Sequence, residues 1–212
     1  MLTREELAET PVDFNLYQKE KDYLQHIVLS RIYSWAGTGF TFKGGTSLQK
    51  CYGLDRFSED LDFTAAGEFK KESIEKSLEE VRRYYPATIE QKDNPFSVSY
   101  RLKIEGPLYH GPLSLQTIRV EISMRENVLL ETINRTVTPL YGDLRPYTVL
   151  FMNPREILAE KIMALMTRTK TRDLYDVNFL IRKKVELDVS LVEKKLDYYS
   201  MKYDEEALMK KR

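Results

Sequence analysis

Lys43-Gly44-Gly45-Thr46-Ser47 and, thirteen residues beyond Ser47, Asp60-Leu61-Asp62-Phe63 carry the residue types and spacing that suit phosphoryl chemistry. Carboxylates one residue apart on a strand project from the same face, because successive side chains alternate sides. Paired oxygens of that kind suit one or two Mg²⁺ ions, which favour carboxylate and phosphate oxygens and retain water. Two glycines in a turn let main-chain N–H groups approach a phosphate, and Thr46 or Ser47 adds a hydroxyl donor at a helix start. Arg56 and Ser58 flank the acidic strand within reach of a phosphate. Together these residues predict a site for a nucleoside triphosphate, with the turn on the triphosphate tail and metal at the reacting phosphorus. The competing picture is a glycine turn beside a solvated acidic edge. Leu61 and Phe63 weaken it, because they half-bury a strand on which unpaired carboxylates are costly. The pattern Gly-x-x-x-x-Gly-Lys-Ser/Thr is absent, so the chain is not read as a P-loop ATPase.

The elements that must hold these residues are legible in outline. Leu16, Tyr23, Leu24, Ile27, Val28 and Ile32 follow one helix face over residues 13–35, with Asn15 or Asp13 as N-cap. Phe40-Thr41-Phe42 reads as a short strand entering the glycine turn, and Leu61–Thr64 as a second. Residues 69–84 read as a charged surface helix. From Thr88 to Glu131 the period becomes two, with Val98, Tyr100, Leu102 and Ile104, then Ile118, Val120 and Ile122, alternating with polar neighbours. Pro154 opens a helix running to about Arg168. After a break near Thr169–Thr171 comes another helix, then a charged segment from 188. This outline is α+β over residues 1–150, followed by a helical part over 151–212.

Composition bounds the rest. Thirty-three basic residues balance thirty-three acidic ones, so neither a bulk nucleic-acid coat nor a polybasic membrane binder is expected. A local basic surface is open at Lys170, Arg172, Arg182, Lys183, Lys184 and Lys210-Lys211-Arg212, the alternative being a solvated helix face. One cysteine, Cys51, excludes a disulfide scaffold, and only His26 and His110 are present, which argues against a histidine-rich metal site. No apolar run approaches a bilayer span and the N-terminus lacks a signal-peptide pattern, so no membrane partner and a cytoplasmic location are expected.

The stretches Phe42–Leu48 and Arg56–Phe63 resemble the AbiEii/AbiGii-type toxin family, part of the DNA polymerase β-like nucleotidyltransferase superfamily. So do Glu160–Leu165 with Arg168, Arg172-Asp173 and Asp176, and the helix segment Glu20-Lys21-Asp22-Tyr23. The resemblance spans about residues 20–180. It implies a polymerase β-like core, a mixed sheet flanked by helices, with a C-terminal helical subdomain. It also implies NTP use with Mg²⁺, a type IV toxin–antitoxin setting with a cognate antitoxin, and tRNA as a kind of acceptor. Relatives supply a third carboxylate from a neighbouring strand, which places Glu121 with Asp60 and Asp62 as metal ligands. The same likeness maps Lys161 onto a lysine near the triphosphate and adds Arg172 and Asp173 to the nucleotide-binding set of Lys43, Gly44, Gly45, Thr46, Ser47, Arg56 and Ser58. The expected reaction joins an NMP to an acceptor hydroxyl. The alternatives are a small hydroxylated acceptor, and a catalytically idle nucleotide-binding module acting through a protein partner.

Overall fold

Asn15 starts the long N-terminal helix in a computed structural model that describes residues 1–65, 70–168, 170–204 and 206. Its side chain accepts from the Gln18 N–H at 2.9 Å while Gln18 answers the Asn15 N–H at 3.2 Å, a reciprocal cap. Helix α1 (Arg4–Glu9) precedes it, and α2 itself runs Leu16–Ala36. From Glu20 to Leu29 every α2 side chain is buried, so this helix lies inside the fold rather than on its surface. Strand β1 (Phe40–Lys43) then passes directly into α3 (Gly44–Tyr52). Strand β2 (Asp60–Ala65) and helix α4 (Lys71–Val81) follow, then β3 (Ala87–Asn94), β4 (Ser97–Ile104) and β5 (Gln116–Ser123). Two further strands, β6 (Ile133–Val137) and β7 (Tyr147–Phe151), complete a seven-stranded sheet in the order β3-β4-β5-β2-β1-β7-β6.

The sheet is mixed. β2 runs parallel to β5 and antiparallel to β1, while β1 runs parallel to β7. Phe42, Leu61, Phe63, Leu102, Val120 and Ile122 are buried on one face. That face is covered by α2, which packs on β5 and β7 and against α4. Tyr33 of α2 donates to the carbonyls of Phe40 (3.0 Å) and Leu150 (3.1 Å), tying the helix to β1 and β7. The opposite face keeps the polar half of each alternation.

Two compact units result, Met1–Met124 with Asn134–Phe151, and Arg125–Ile133 with Met152–Arg212. In the second, Asn153 caps α5 (Pro154–Thr167), with Pro154 in its first turn, and α5 packs against α6 (Thr171–Arg182) and α7 (Val189–Asp197). The segment read only as charged from 188 contains α7, capped by the Asp188 carboxylate on the N–H groups of Ser190 and Leu191. Of the candidate basic surface, Lys170, Arg172, Arg182, Lys183 and Lys184 are exposed, while 210–212 lie outside the described residues. Among the described residues no helix is long and apolar enough to cross a membrane.

Candidate active site

Gly44 opens α3 at φ +77°, a left-handed conformation, and the Asp62 carboxylate lies against it. A Cβ at Gly44 would sit 2.5 Å from Asp62 Oδ2, and one at Gly45 would sit 2.5 Å from Arg56 Nη2 and 2.8 Å from Ser58 Oγ. The structure therefore gathers Gly44, Gly45, Arg56, Ser58 and Asp62 at one bend. Gly44→Ala is expected to cost about 1–2 kcal/mol for the backbone conformation alone. It should also displace Asp62, so a lowered melting temperature accompanied by weaker binding of inorganic triphosphate is the expected pair of readouts.

Sheet register orders the rest of the polar face. Asp62 lies opposite Lys43 on β1 and Glu121 on β5, and Glu121 lies opposite Ser99 on β4. One step along, Asp60 lies opposite Arg119, and Arg119 opposite Arg101. Asp60 and Asp62 are half-buried, whereas Glu121 is exposed. Among the described residues no three His, Cys, Asp or Glu side chains are gathered to hold a metal ion. Glu121 shares the face and the register of the aspartates, directly opposite Asp62, and is more exposed than either of them. The aspartate pair on one strand face suits an ion that draws its remaining ligands from phosphate and water.

Thr46 and Ser47 depart from the expected role of phosphate donors. Both are fully buried, with Thr46 Oγ1 donating to the Asp60 carbonyl at 2.6 Å and Ser47 Oγ to the Gly44 carbonyl at 2.9 Å. Their hydroxyl protons fasten the turn to β2 and close its first coil. The main-chain N–H groups of the first turn of α3 have no partner within the helix and are the donors this turn can offer an anion.

A polar network beneath this bend was not foreseen from the sequence. Asp22 Oδ1 accepts from Lys50 Nζ at 2.8 Å and Gln49 Nε2 at 3.2 Å, and Oδ2 accepts from Tyr141 Oη at 2.9 Å. Gln49 Oε1 accepts the Ser58 N–H at 3.0 Å, and Gln25 Nε2 donates to the carbonyls of Ser58 (3.0 Å) and Glu59 (2.9 Å). Gln25 Oε1 is buried with no partner among the described residues, at a cost on the order of 1–3 kcal/mol. Burial alone would raise the Asp22 carboxyl, but Lys50 and His26 outweigh it and hold it well below the usual carboxylate range. The hint in the sequence is the run of charges Lys19-Glu20-Lys21-Asp22 leading into the apolar positions Tyr23, Leu24, Ile27 and Val28 of the same helix.

His26 joins this network at Asp22, with Nε2 3.4 Å from Oδ2, while its Nδ1 lies 2.7 Å from Tyr147 Oη, and burial together with the Lys50 charge pushes its imidazole down to about 4. The folded protein thus keeps His26 neutral while the unfolded chain protonates it below about pH 6.5. Folding stability should fall by about 2–3 kcal/mol as pH drops from 7 to 4.5. Urea titrations at the two pH values check this, and His26→Gln should show a smaller loss.

Around Asp60, Tyr17 and Lys21 from α2, Arg101 and Lys103 from β4 and Arg119 from β5 border a groove of about 350 Å³. Lys21 pairs with Glu59 at 3.0 Å and Lys103 with Glu90 at 2.5 Å, whereas Arg119 has no ion-pair partner among the described residues. Within the second unit, Lys161 Nζ contacts Asp173 (3.1 Å) and Asp176 (2.8 Å), and Arg168 Nε contacts Asp173 (2.9 Å). Burial raises the Asp173 carboxyl, but these cations reverse the shift and lower it. Arg172 is exposed on α6. Glu156 and Glu160, near neighbours of Lys161 in sequence, are bound by Lys195 instead.

No curated protein matches the chain. Among solved structures, JHP933 from Helicobacter pylori aligns with a TM-score of 0.60 at 23% identity, covering 86% of this chain and 74% of the other. MenT4, a nucleotidyltransferase toxin from Mycobacterium tuberculosis, aligns with a TM-score of 0.63 at 23% identity, covering 91% and 68%. At these identities the likeness establishes the fold. The family profile described as nucleotidyl transferase AbiEii toxin, type IV toxin–antitoxin system, matches residues 28–211, nearly nine-tenths of the chain. With an acidic strand set against a glycine turn on a nucleotidyltransferase-like fold, this protein is a nucleotidyltransferase and belongs to the AbiEii toxin family of type IV toxin–antitoxin systems.

Proposed function

We propose that the protein transfers a nucleoside monophosphate from an NTP to an acceptor hydroxyl of RNA, with tRNA as the kind of acceptor, and that a cognate antitoxin restrains it in the cytoplasm. The observation that carries this reading is the Asp62 carboxylate seated on Gly44, with Asp60 on the same strand face. The triphosphate meets the first turn of α3 at Gly44 and Gly45, where main-chain N–H groups and Arg56 face its oxygens. Asp60 and Asp62 are the residues that would hold Mg²⁺. When bound, the ion lowers the pKa of the acceptor hydroxyl and neutralises charge on the phosphates. The hydroxyl oxygen bonds to the α-phosphorus as the bond from that phosphorus to the bridging oxygen breaks, and pyrophosphate leaves. Glu121, opposite Asp62 on β5, receives the proton of the hydroxyl.

The groove beside Asp60 supports an anionic acceptor over a small hydroxylated one. Arg101 and Arg119 lie directly opposite each other on neighbouring strands; Arg101 is 3.8 Å from Glu90 across the other side, whereas Arg119 has no ion-pair partner among the described residues, which leaves its charge available to an anion. A backbone phosphate of RNA would pair with Arg119 in the groove that Asp60 borders. The test is incubation with each of the four α-³²P-labelled NTPs, Mg²⁺ and total tRNA. Labelled RNA is expected with at least one NTP. Nucleotide retained on the protein with no transfer in any of the four would instead support an idle binding module.

A further inference from the structure

Two glutamines hold the main chain that delivers Asp60. Gln49 of α3 takes the Ser58 N–H on its Oε1, and Gln25 of α2 donates to the Ser58 and Glu59 carbonyls, so both polar sides of the segment entering β2 are fixed. The Gln49 amide has one workable orientation, because Asp22 accepts from its Nε2 at 3.2 Å and leaves Oε1 facing Ser58. Asp22 is in turn held by Lys50 and Tyr141. Gln49 also sits on the helix that begins at the glycine turn, and Thr46 of that helix bonds the Asp60 carbonyl. The phosphate turn and the acid-bearing strand are therefore joined by contacts from a single helix, α3, braced from below by α2.

We infer that Gln49 and Gln25 are positioning residues for Asp60, with Asp22 orienting Gln49. They lock the Ser58–Glu59 main chain so that Asp60 and Asp62 face a divalent ion together at the glycine turn. Neither glutamine touches substrate. The orphaned Oε1 of Gln25 is consistent with a side chain kept for its two donor bonds rather than for packing. This inference rests on the assignment of Asp60 and Asp62 as the ligands of the metal.

The experiment measures binding of Mn²⁺ to the full chain in the presence of inorganic triphosphate, by electron paramagnetic resonance, alongside transfer activity and thermal melting. Gln49→Leu is expected to weaken Mn²⁺ at least tenfold and to raise the Mg²⁺ concentration needed for half-maximal transfer by a similar factor. Its affinity for triphosphate without metal should stay within twofold of wild type. Gln49→Glu has the same shape and keeps the acceptor for Ser58 but sets a second carboxylate against Asp22, so it should also weaken Mn²⁺ at least tenfold, and it decides the matter if Gln49→Leu does not fold. Added to Asp60→Asn, Gln49→Leu should change residual Mn²⁺ binding less than twofold. Wild-type Mn²⁺ binding in both Gln49 variants, with Asp60→Asn defective, would overturn the inference and leave the site assignment standing. Unchanged Mn²⁺ binding in Asp60→Asn itself would overturn the site assignment, and the inference with it.

Discussion

Asp60→Asn and Asp62→Asn should each reduce NMP transfer by about 10²–10³-fold, the loss typical of removing one preorganised electrostatic contact to a developing charge. The two changes should not multiply. Both side chains are assigned to one ion, and groups acting as a unit lose most of their effect when the first is removed. Stability should hardly move, because asparagine keeps the shape of each side chain and both positions are only half-buried on the polar face of the sheet. Asp62 carries the sharper expectation. Its carboxylate lies on Gly44, so its amide counterpart removes charge from the point where the triphosphate approaches the chain. Rates from labelled NTP, set beside circular dichroism and melting curves, separate lost chemistry from lost folding. Near-wild-type transfer in the double variant would remove the aspartates from the mechanism.

The largest effect on stability should come from Lys195→Met. Lys195 is fully buried, with its ammonium 2.7 Å from Glu156 and 3.0 Å from Glu160, and it also donates to the Asn127 carbonyl at 3.2 Å. Burial lowers the pKa of this ammonium, but the two carboxylates outweigh it and raise the pKa above the ordinary lysine value. Glu156 is equally buried, and its carboxylate accepts the N–H groups of Leu129 and Leu130. Methionine fills most of the lysine volume yet leaves the Glu156 charge without its cation, a change that costs about 3–5 kcal/mol. That is a large fraction of the 5–15 kcal/mol, roughly, that stabilises an ordinary domain. A urea titration should show a lower midpoint or an early separate transition of the second unit. A loss below about 1 kcal/mol would mean that Glu156 gives up its charge or finds another partner when Lys195 is gone.

What the sequence discloses follows from which physical signals are local. The turn and the acid strand were legible because glycine freedom and two-residue alternation are written in adjacent positions, and β2 spans Asp60–Ala65 where Leu61–Thr64 was expected. The Glu121 register was also accessible, since alternation in Ile118–Ile122 puts Glu121 on the polar face that Asp62 occupies. Strand β7 was missed. Its five residues, Tyr147–Phe151, follow Pro146 and give too short a run to distinguish from a loop, although they supply the parallel neighbour of β1. Helix α7 was hidden by its charges, and Lys195 within it reads as a surface residue until Glu156 and Glu160 meet it from α5.

The hydroxyls of Thr46 and Ser47 mark a different limit. Residue type told which groups can donate, but their partners are the carbonyl of a strand fourteen residues away and that of the turn itself. The same holds for Gln25 and Gln49, whose amides look solvent-facing in one dimension and prove to be internal fastenings of the loop before Asp60. Lys161 shows it for charge. Glu156 and Glu160 lie nearest to it along the sequence, whereas Asp173 and Asp176 of the next helix hold it.

A crystal structure of the wild-type chain soaked with Mn²⁺ and a non-hydrolysable NTP tests the site most directly. The account predicts an anomalous peak about 2.0–2.2 Å from oxygens of both Asp60 and Asp62, with the triphosphate lying over Gly44 and Gly45. A nucleotide bound elsewhere, or a metal peak that touches neither aspartate, would contradict it.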